Sequence, residues 1–339
     1  MGRAVPLLPG LALVVVLAIL ARASTLVLPE IISEVTIGIA LGLIVANVFR
    51  PPKAVKAGVK FAMGTPLRAG IVLLGARLSF GDVIATGFGS LLVILACMAF
   101  ALAVVVGLGR MFGLPPRLAA LIAVGTAVCG NSAIAATAPV IEAEERDVSF
   151  AVATITLFGT LAVLIYPLIG HALGFSDAFF GHWAGIAVND TSQVTATGFA
   201  YSQAAGETAT IVKLTRNTLM GPLIVVIGLL YLRSGMARSE DRVQKASRFR
   251  WVRLVPLFVV GFVALAALNS VGLIPPDWGS SISAASKALI LVALVGVGLN
   301  TDVSTLRPVG WRPLQLGFLA ATMLSILALI LVALVVGTA

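Results

Sequence analysis

Two stretches sixty residues apart interrupt long apolar runs in the same way, and any fold for this chain has to accommodate them. Gly125 to Ala138 reads GTAVCGNSAIAATA and Gly185 to Gly198 reads GIAVNDTSQVTATG. Without a gap, Gly125, Ala127, Val128, Ser132, Ala136 and Thr137 fall on the identical residues Gly185, Ala187, Val188, Ser192, Ala196 and Thr197. Each run stops at a polar cluster, Cys129-Gly130-Asn131-Ser132 or Asn189-Asp190-Thr191-Ser192-Gln193, and resumes with small residues. In hydrocarbon an unpaired backbone amide or carbonyl is so costly that such a break is tolerated only where it faces protein or a watery cavity. Two related breaks therefore predict one shared cavity, as in carriers that build mid-membrane sites from interrupted helices. Close helix packing through small residues is the competing reading.

That the surroundings are hydrocarbon follows from composition. Of 339 residues, 59% are hydrophobic and only 11% charged, which excludes a soluble globular domain. The net charge of +9 does not indicate nucleic acid, because the basic residues lie between apolar runs, where membrane topology accounts for them. Cys97 and Cys129 both fall inside apolar stretches and form no disulfide framework.

Apolar runs near the ~20 residues that cross a bilayer predict eleven spans. They lie at about 7–20, 30–49, 61–78, 83–108, 118–141, 148–173, 182–204, 208–232, 254–268, 282–299 and 314–336. The first, residues 1–24, is either a retained helix or a signal segment ending at Ala21-Arg22-Ala23, and its loss would leave ten. A cytoplasmic N-terminus puts the loops of Arg50 to Lys60, Arg110 to Arg117, Arg233 to Arg253 and Arg307 to Arg312 inside, in keeping with the positive-inside rule. Glu30, Asp82, the Glu142 to Asp147 cluster, Glu207 and Asp277 then fall outside. A weaker echo links Gly75-Ala76-Arg77-Leu78-Ser79 to Gly296-Val297-Gly298-Leu299-Asn300. It implies inverted halves, 25–174 and 175–339, within one transmembrane domain, whereas the sixty-residue echo joins segments of the same sense. Both symmetries stay open.

Four ordered motifs, LRAGIVLLGARLSFGDV from Leu67, GTAVCGNSAIAATAPVI from Gly125, GIAVNDTSQV from Gly185 and KLTRNTLMGP from Lys213, resemble the bacterial YeiH-type family (UPF0324), whose members are labelled sulfate exporters. The resemblance covers nearly the whole chain. It implies an all-α polytopic protein of the bacterial inner membrane with ten or eleven transmembrane helices, similar in architecture to the sodium/proton antiporters and bile-acid symporters. Where the second motif of the family has a histidine this chain has Asn189, which weighs against a proton role there.

Ionisable groups inside spans are costly and are functional candidates. Here they are Arg68, Arg77, Asp190, Lys213 and Arg216. Arg77 lies near an end and is expected to snorkel. Lys213 and Arg216, spaced i, i+3, share a helix face; their competing role is a structural pair with Asp190 or lipid headgroups. Four deep cations against one acid suit a small oxyanion better than a metal cation. Arg68, Lys213 and Arg216 are expected to attract it, and Gly130, Asn131, Ser132, Thr191, Ser192 and Gln193 to bind it. Asp190 either couples protons to transport or forms a salt bridge. Asn189, Asn300 and Asp302 complete the candidate ion-coupling set.

Other classes fit less well. Ser132, His182 and Asp190 supply the residue types of a hydrolytic triad without a nucleophile motif. His171 and His182 are isolated and offer no metal-ligand pair, and no cofactor is implied. A channel remains open, since polar breaks also build filters. The expected partners are a small anionic solute and membrane lipids, with a homodimer left open. The segment from Arg233 to Arg253 suits anionic lipid or ordinary loop patterning.

Overall fold

The computed structural model describes residues 7–24, 34–233, 257–275, 277–301 and 310–336, and among these the regular structure is entirely helical. Asp302, Arg307 and nearly all of the 233–253 loop lie outside the described residues. The helices are α1 (Leu8–Ser24), α2 (Glu34–Ile44, continued by a π-helical turn Val45–Phe49), α3 (Lys53–Gly75), α4 (Phe80–Met111), α5 (Pro116–Ala127), α6 (Asn131–Thr137), α7 (Glu145–Leu173), α8 (Asp177–Ala187), α9 (Thr191–Tyr201), α10 (Gln203–Thr218), α11 (Met220–Arg233), α12 (Leu257–Ser270), α13 (Trp278–Asn300) and α14 (Trp311–Val335). Among the described residues six helical stretches are long and apolar enough to cross a membrane: Ala54–Gly75, Val83–Met111, Glu145–Leu173, Gln203–Tyr231, Trp278–Asn300 and Trp311–Val335. The chain is an all-α polytopic membrane protein.

Punctuation in the sequence sets the helix ends. Pro116 opens α5, where a missing N–H costs nothing. Gly174, at φ 65°, closes α7 in the left-handed region. The Ser176 and Ser202 hydroxyls cap α8 and α10 by accepting from the N–H groups of Phe179 and Ala205.

Both interrupted segments are discontinuous helices, but each turns back to the face it entered from. Tyr201, ending α9, stacks on Phe180 near the start of α8 at 3.9 Å and donates to the Phe175 carbonyl. Ser202 donates to Asp177 at 2.6 Å. Gly181 and Gly185 of α8 lie against Ala205 and Ala209 of α10, so these helices run parallel, while Gly198 near the end of α9 meets Gly206 at the start of α10. Thus α8 and α9 form a hairpin. The α5 and α6 pair forms another, since Pro115, Arg117 and Leu118 at its start share a cavity of about 780 Å³ with Glu144, Arg146 and Asp147 after its end. At 12 and 11 residues, α5 and α8 reach ~16–18 Å, about half of a ~30 Å hydrocarbon core.

The path of α7 separates the two mouths. It leaves the mouth of the first hairpin at Glu145 and reaches the second at Gly170, which lies against Phe180. The hairpins therefore enter from opposite faces, called here the hairpin-1 and hairpin-2 faces. Two expectations change as a result. The acidic cluster Glu142 to Asp147 lies on the same face as Arg110 to Arg117, because the intervening segment does not cross; and the sixty-residue echo relates elements of opposite sense.

Around this core the helices sort into two bundles. α1, α2, α3, α12 and α13 pack on one another, while α4 to α11 pack with α14, so both bundles draw helices from either side of residue 174. They meet where Ala196, Phe199 and Ala200 of α9 join the apolar cluster of Ile39, Leu294 and Phe262.

The hairpin path is checked by labelling single cysteines with a membrane-impermeant thiol reagent. Leu114→Cys and Glu144→Cys are expected to react from the same face, and a crossing segment would put them on opposite faces. The buried Cys97 and Cys129 are expected to stay silent.

Candidate functional site

The two hairpin tips meet. A Cβ built on Gly130 would lie 3.2 Å from the Asp190 Cα, and these two positions are equivalent under the sixty-residue echo. Gly130 sits at φ 62° and ψ −122°, a conformation that disfavours any side chain, and a Cβ there would press on the Asp190 backbone.

Turning a helix back at mid-depth strands backbone carbonyls at the ends of α5 and α8, in a region with no water to take them. Lys213 and Arg216 of α10 supply the missing donors. The Lys213 ammonium donates to the carbonyls of Val128 (2.6 Å), Val188 (3.2 Å) and Asn189. Arg216 Nε donates to Ala127 (2.8 Å), one terminal nitrogen to Ile186 (2.7 Å) and Val188 (3.3 Å), and the other to Thr126. The pattern follows the echo: Lys213 bridges the equivalent Val128 and Val188, and Arg216 bridges the equivalent Thr126 and Ile186. Each helix C-terminus also carries a partial negative charge of roughly half a unit, so the two cations neutralise two converging dipoles. Both side chains are essentially sealed, at 0% and 1% exposure.

The opposite ends, where α6 and α9 begin, are lined by neutral polar groups and one acid. Asp190 caps α9, its carboxylate accepting from the Ser192 N–H at 2.9 Å and the Ser192 hydroxyl at 2.6 Å. Asn131 donates to the Thr156 hydroxyl (3.3 Å), and Gln193 to the Thr156 carbonyl (3.0 Å) and the Thr160 hydroxyl (3.2 Å), so α7 holds both tips on this side. Asn217 donates to the Thr191 hydroxyl at 3.1 Å. The buried side-chain oxygens of Asn131, Asn189, Gln193 and Asn217 have no hydrogen-bond partner. Ser132 is exposed; Thr191 and Asp190 are half-buried. Among the described residues no group of three or more His, Cys, Asp or Glu side chains is placed to hold a metal ion.

The structure thus brings together Asn189, Gly130, Asn131, Ser132, Asp190, Thr191, Ser192, Gln193, Lys213 and Arg216. The donors of Lys213 and Arg216 go to main-chain carbonyls, neither to Asp190 nor to lipid headgroups. Arg68 is not brought to the tips: it sits on the exposed face of α3, which packs chiefly on α1, α12 and α13. Asn300 ends α13 at an exposed position, and the neighbouring Thr301 carbonyl accepts from Asn47 of the π-helical turn at 2.9 Å. Arg77, exposed just past the end of α3, pairs with Glu207 at 2.7 Å. Thr156, Thr160 and Asn217 were not legible as site residues, because single hydroxyls and amides in apolar runs carry no spacing signal. Lys287 is a further cation within a span, on the exposed side of α13.

The chain matches the family described as conserved hypothetical protein 698 over residues 8–317. It is 34% identical over 299 residues to a UPF0324 membrane protein of Agrobacterium fabrum, covering 88% of this chain and 83% of the relative. A UPF0324 membrane protein of Clostridium tetani is 30% identical over 332 residues, 94% of each chain. One from Brucella melitensis is 35% identical over 315 residues, covering 90% of this chain and 85% of the relative.

Removing a clamp residue orphans carbonyls at about 1–3 kcal/mol for each buried group left unsatisfied. Arg216→Met leaves Thr126, Ala127 and Ile186 without their donor, whereas Lys213→Met leaves only Val128 and Asn189. Thermal unfolding in detergent is therefore expected to rank the wild type above Lys213→Met and that above Arg216→Met. Equal midpoints would show that the carbonyls find other donors.

Proposed function

The chain belongs to the UPF0324 family of membrane proteins, and from that membership and the paired hairpin tips we propose that it is a secondary transporter of a small oxyanion, with sulfate or a related sulfur oxyanion as first candidate. The observation that carries this reading is the meeting of two opposed hairpins at mid-depth, their negative ends neutralised by Lys213 and Arg216 and their other ends lined by hydroxyls and amides. Counted by side chains alone, such a centre holds two cations against the single carboxylate of Asp190.

In this reading Lys213 and Arg216 set the potential and the shape, and direct contacts to the solute come from Asn131, Ser132, Thr191, Ser192 and Gln193, with the close packing at Gly130 holding the tips in register. Arg68 attracts the anion from a distance. Asp190 is the coupling group: it already shares its proton-accepting oxygen with two donors from Ser192, so arrival of an anion at those donors changes what stabilises its charge. Asn189, Asn300 and Asp302 complete the ion-coupling set, and the equivalent tip positions support an inverted repeat. The lysines and arginines favour a cytoplasmic hairpin-1 face, where Arg50, Lys56, Lys60, Arg110, Arg117, Arg146 and Arg312 lie, against Arg22 and Arg77 on the other. This reading has the N-terminus in the cytoplasm.

A channel has less support, because the Gly130 to Asp190 contact closes the path between the tips. A hydrolase has less still: His182 bonds the Ala178 carbonyl within its own helix at 2.7 Å, two turns from the tip that carries Asp190.

Uptake of labelled sulfate and sulfite into proteoliposomes is expected to saturate. Ser132→Ala removes a hydrogen bond to a charged solute, worth ~1.5–3 kcal/mol, and should lower transport roughly ten- to a hundredfold. Asp190→Asn should abolish stimulation by a pH gradient. Unchanged uptake in both Ser132→Ala and Thr191→Val would overturn the site, and full gradient response in Asp190→Asn the coupling.

A further inference from the structure

The two hairpins are alike in sequence but not in what covers them. Ser132 is exposed and its equivalent Ser192 buried; Ala135 is exposed and Thr195 buried; Ala136 is half-buried and Ala196 buried; Pro139 is exposed and Phe199 buried. The reason is the second bundle. Ala196, Phe199 and Ala200 on α9 pack into the cluster built from α1, α2, α3, α12 and α13, whereas the buried Ile134 of α6 and Ala138 just after it pack with α5 and α7. The open side of α6 begins at the backbone break after Gly130, and a break beside an exposed serine is not stable against lipid. In the transporter reading this side faces water.

On the hairpin-2 face the bundles are tied together. Arg77, just past the end of α3, pairs with Glu207 in the second turn of α10 at 2.7 Å. Gln203 donates to the same Glu207 oxygen at 2.7 Å, and Ser270 of α12 accepts from the Phe80 N–H at the start of α4. Beneath these contacts lies the Phe199 seal.

We infer that the structure holds the site open toward the hairpin-1 face and closed toward the hairpin-2 face, with the Arg77 to Glu207 pair as the latch on the closed side. Release of this latch lets α9 leave α2 and α13 and exposes the Ser192 side of the tips. The inference rests on the transporter reading, since only a carrier uses alternate closure, but its test requires no solute.

Single cysteines at the non-equivalent reporters Ala135→Cys and Ala196→Cys, in right-side-out and inside-out vesicles, are labelled with an impermeant methanethiosulfonate. Ala135→Cys is expected to react from the hairpin-1 face only, and Ala196→Cys slowly from either. A partly exposed ion pair is worth up to ~1 kcal/mol, or about fivefold. Glu207→Gln should therefore raise labelling of Ala196→Cys from the hairpin-2 face by about that factor, and Arg77→Glu combined with Glu207→Arg should reverse it. Reaction of Ala135→Cys from the hairpin-2 face or from neither face would overturn the assignment, as would an Ala196→Cys rate unmoved by both Glu207→Gln and Arg77→Gln. Labelling that follows this pattern in protein that takes up no sulfur oxyanion would sink the solute reading alone; intact uptake without it would sink the latch alone.

Discussion

Six main-chain carbonyls pointing at two side chains are the constraint on which the core depends. A helix that stops halfway through a bilayer leaves acceptors that neither lipid nor water can satisfy, and this protein stops two helices there. Lys213 and Arg216 answer both with one helix face. Their i, i+3 spacing on α10 puts two cations at the level where the dipoles of α5 and α8 converge, so a pair of charges that would be prohibitive in hydrocarbon is held by backbone dipoles in place of counter-ions. The same contacts bind two elements from opposite faces into one body.

How much of this could be read from residues alone depended on the kind of signal. The breaks at Cys129 to Ser132 and Asn189 to Gln193 were visible as polar clusters in apolar runs, and the buried cations as charges where none is cheap. The path of the chain was not. An interrupted apolar run of about 24 residues has the same composition whether its halves continue or fold back, and the deciding contacts, Tyr201 on Phe180 and Ser202 on Asp177, join residues that no periodicity links. Charge misled locally for the same reason: the acidic cluster at Glu142 to Asp147 looks like an outside loop only if the preceding segment crosses.

The role of the cations was half legible. Their burial follows from position, yet nothing in KLTRNT says that the donors are spent on Thr126 to Val128 and Ile186 to Asn189 and not on a solute. This division of labour leaves the polar side chains of α6 and α9 for recognition, while α7 fixes them through Thr156 and Thr160. The second bundle touches the core mainly through α9, so the two hairpins, equivalent in sequence, differ in surroundings.

The clamp also has a biosynthetic consequence. Residues 116–137 leave the ribosome before α10, and Arg216 follows Thr137 by 79 positions. At ~5–20 residues per second, the first hairpin waits about 4–16 s for its donors. During that interval its carbonyl ends need shelter in the insertion machinery or in the water above it, and the hairpin settles into the bilayer as a consequence of a helix made later.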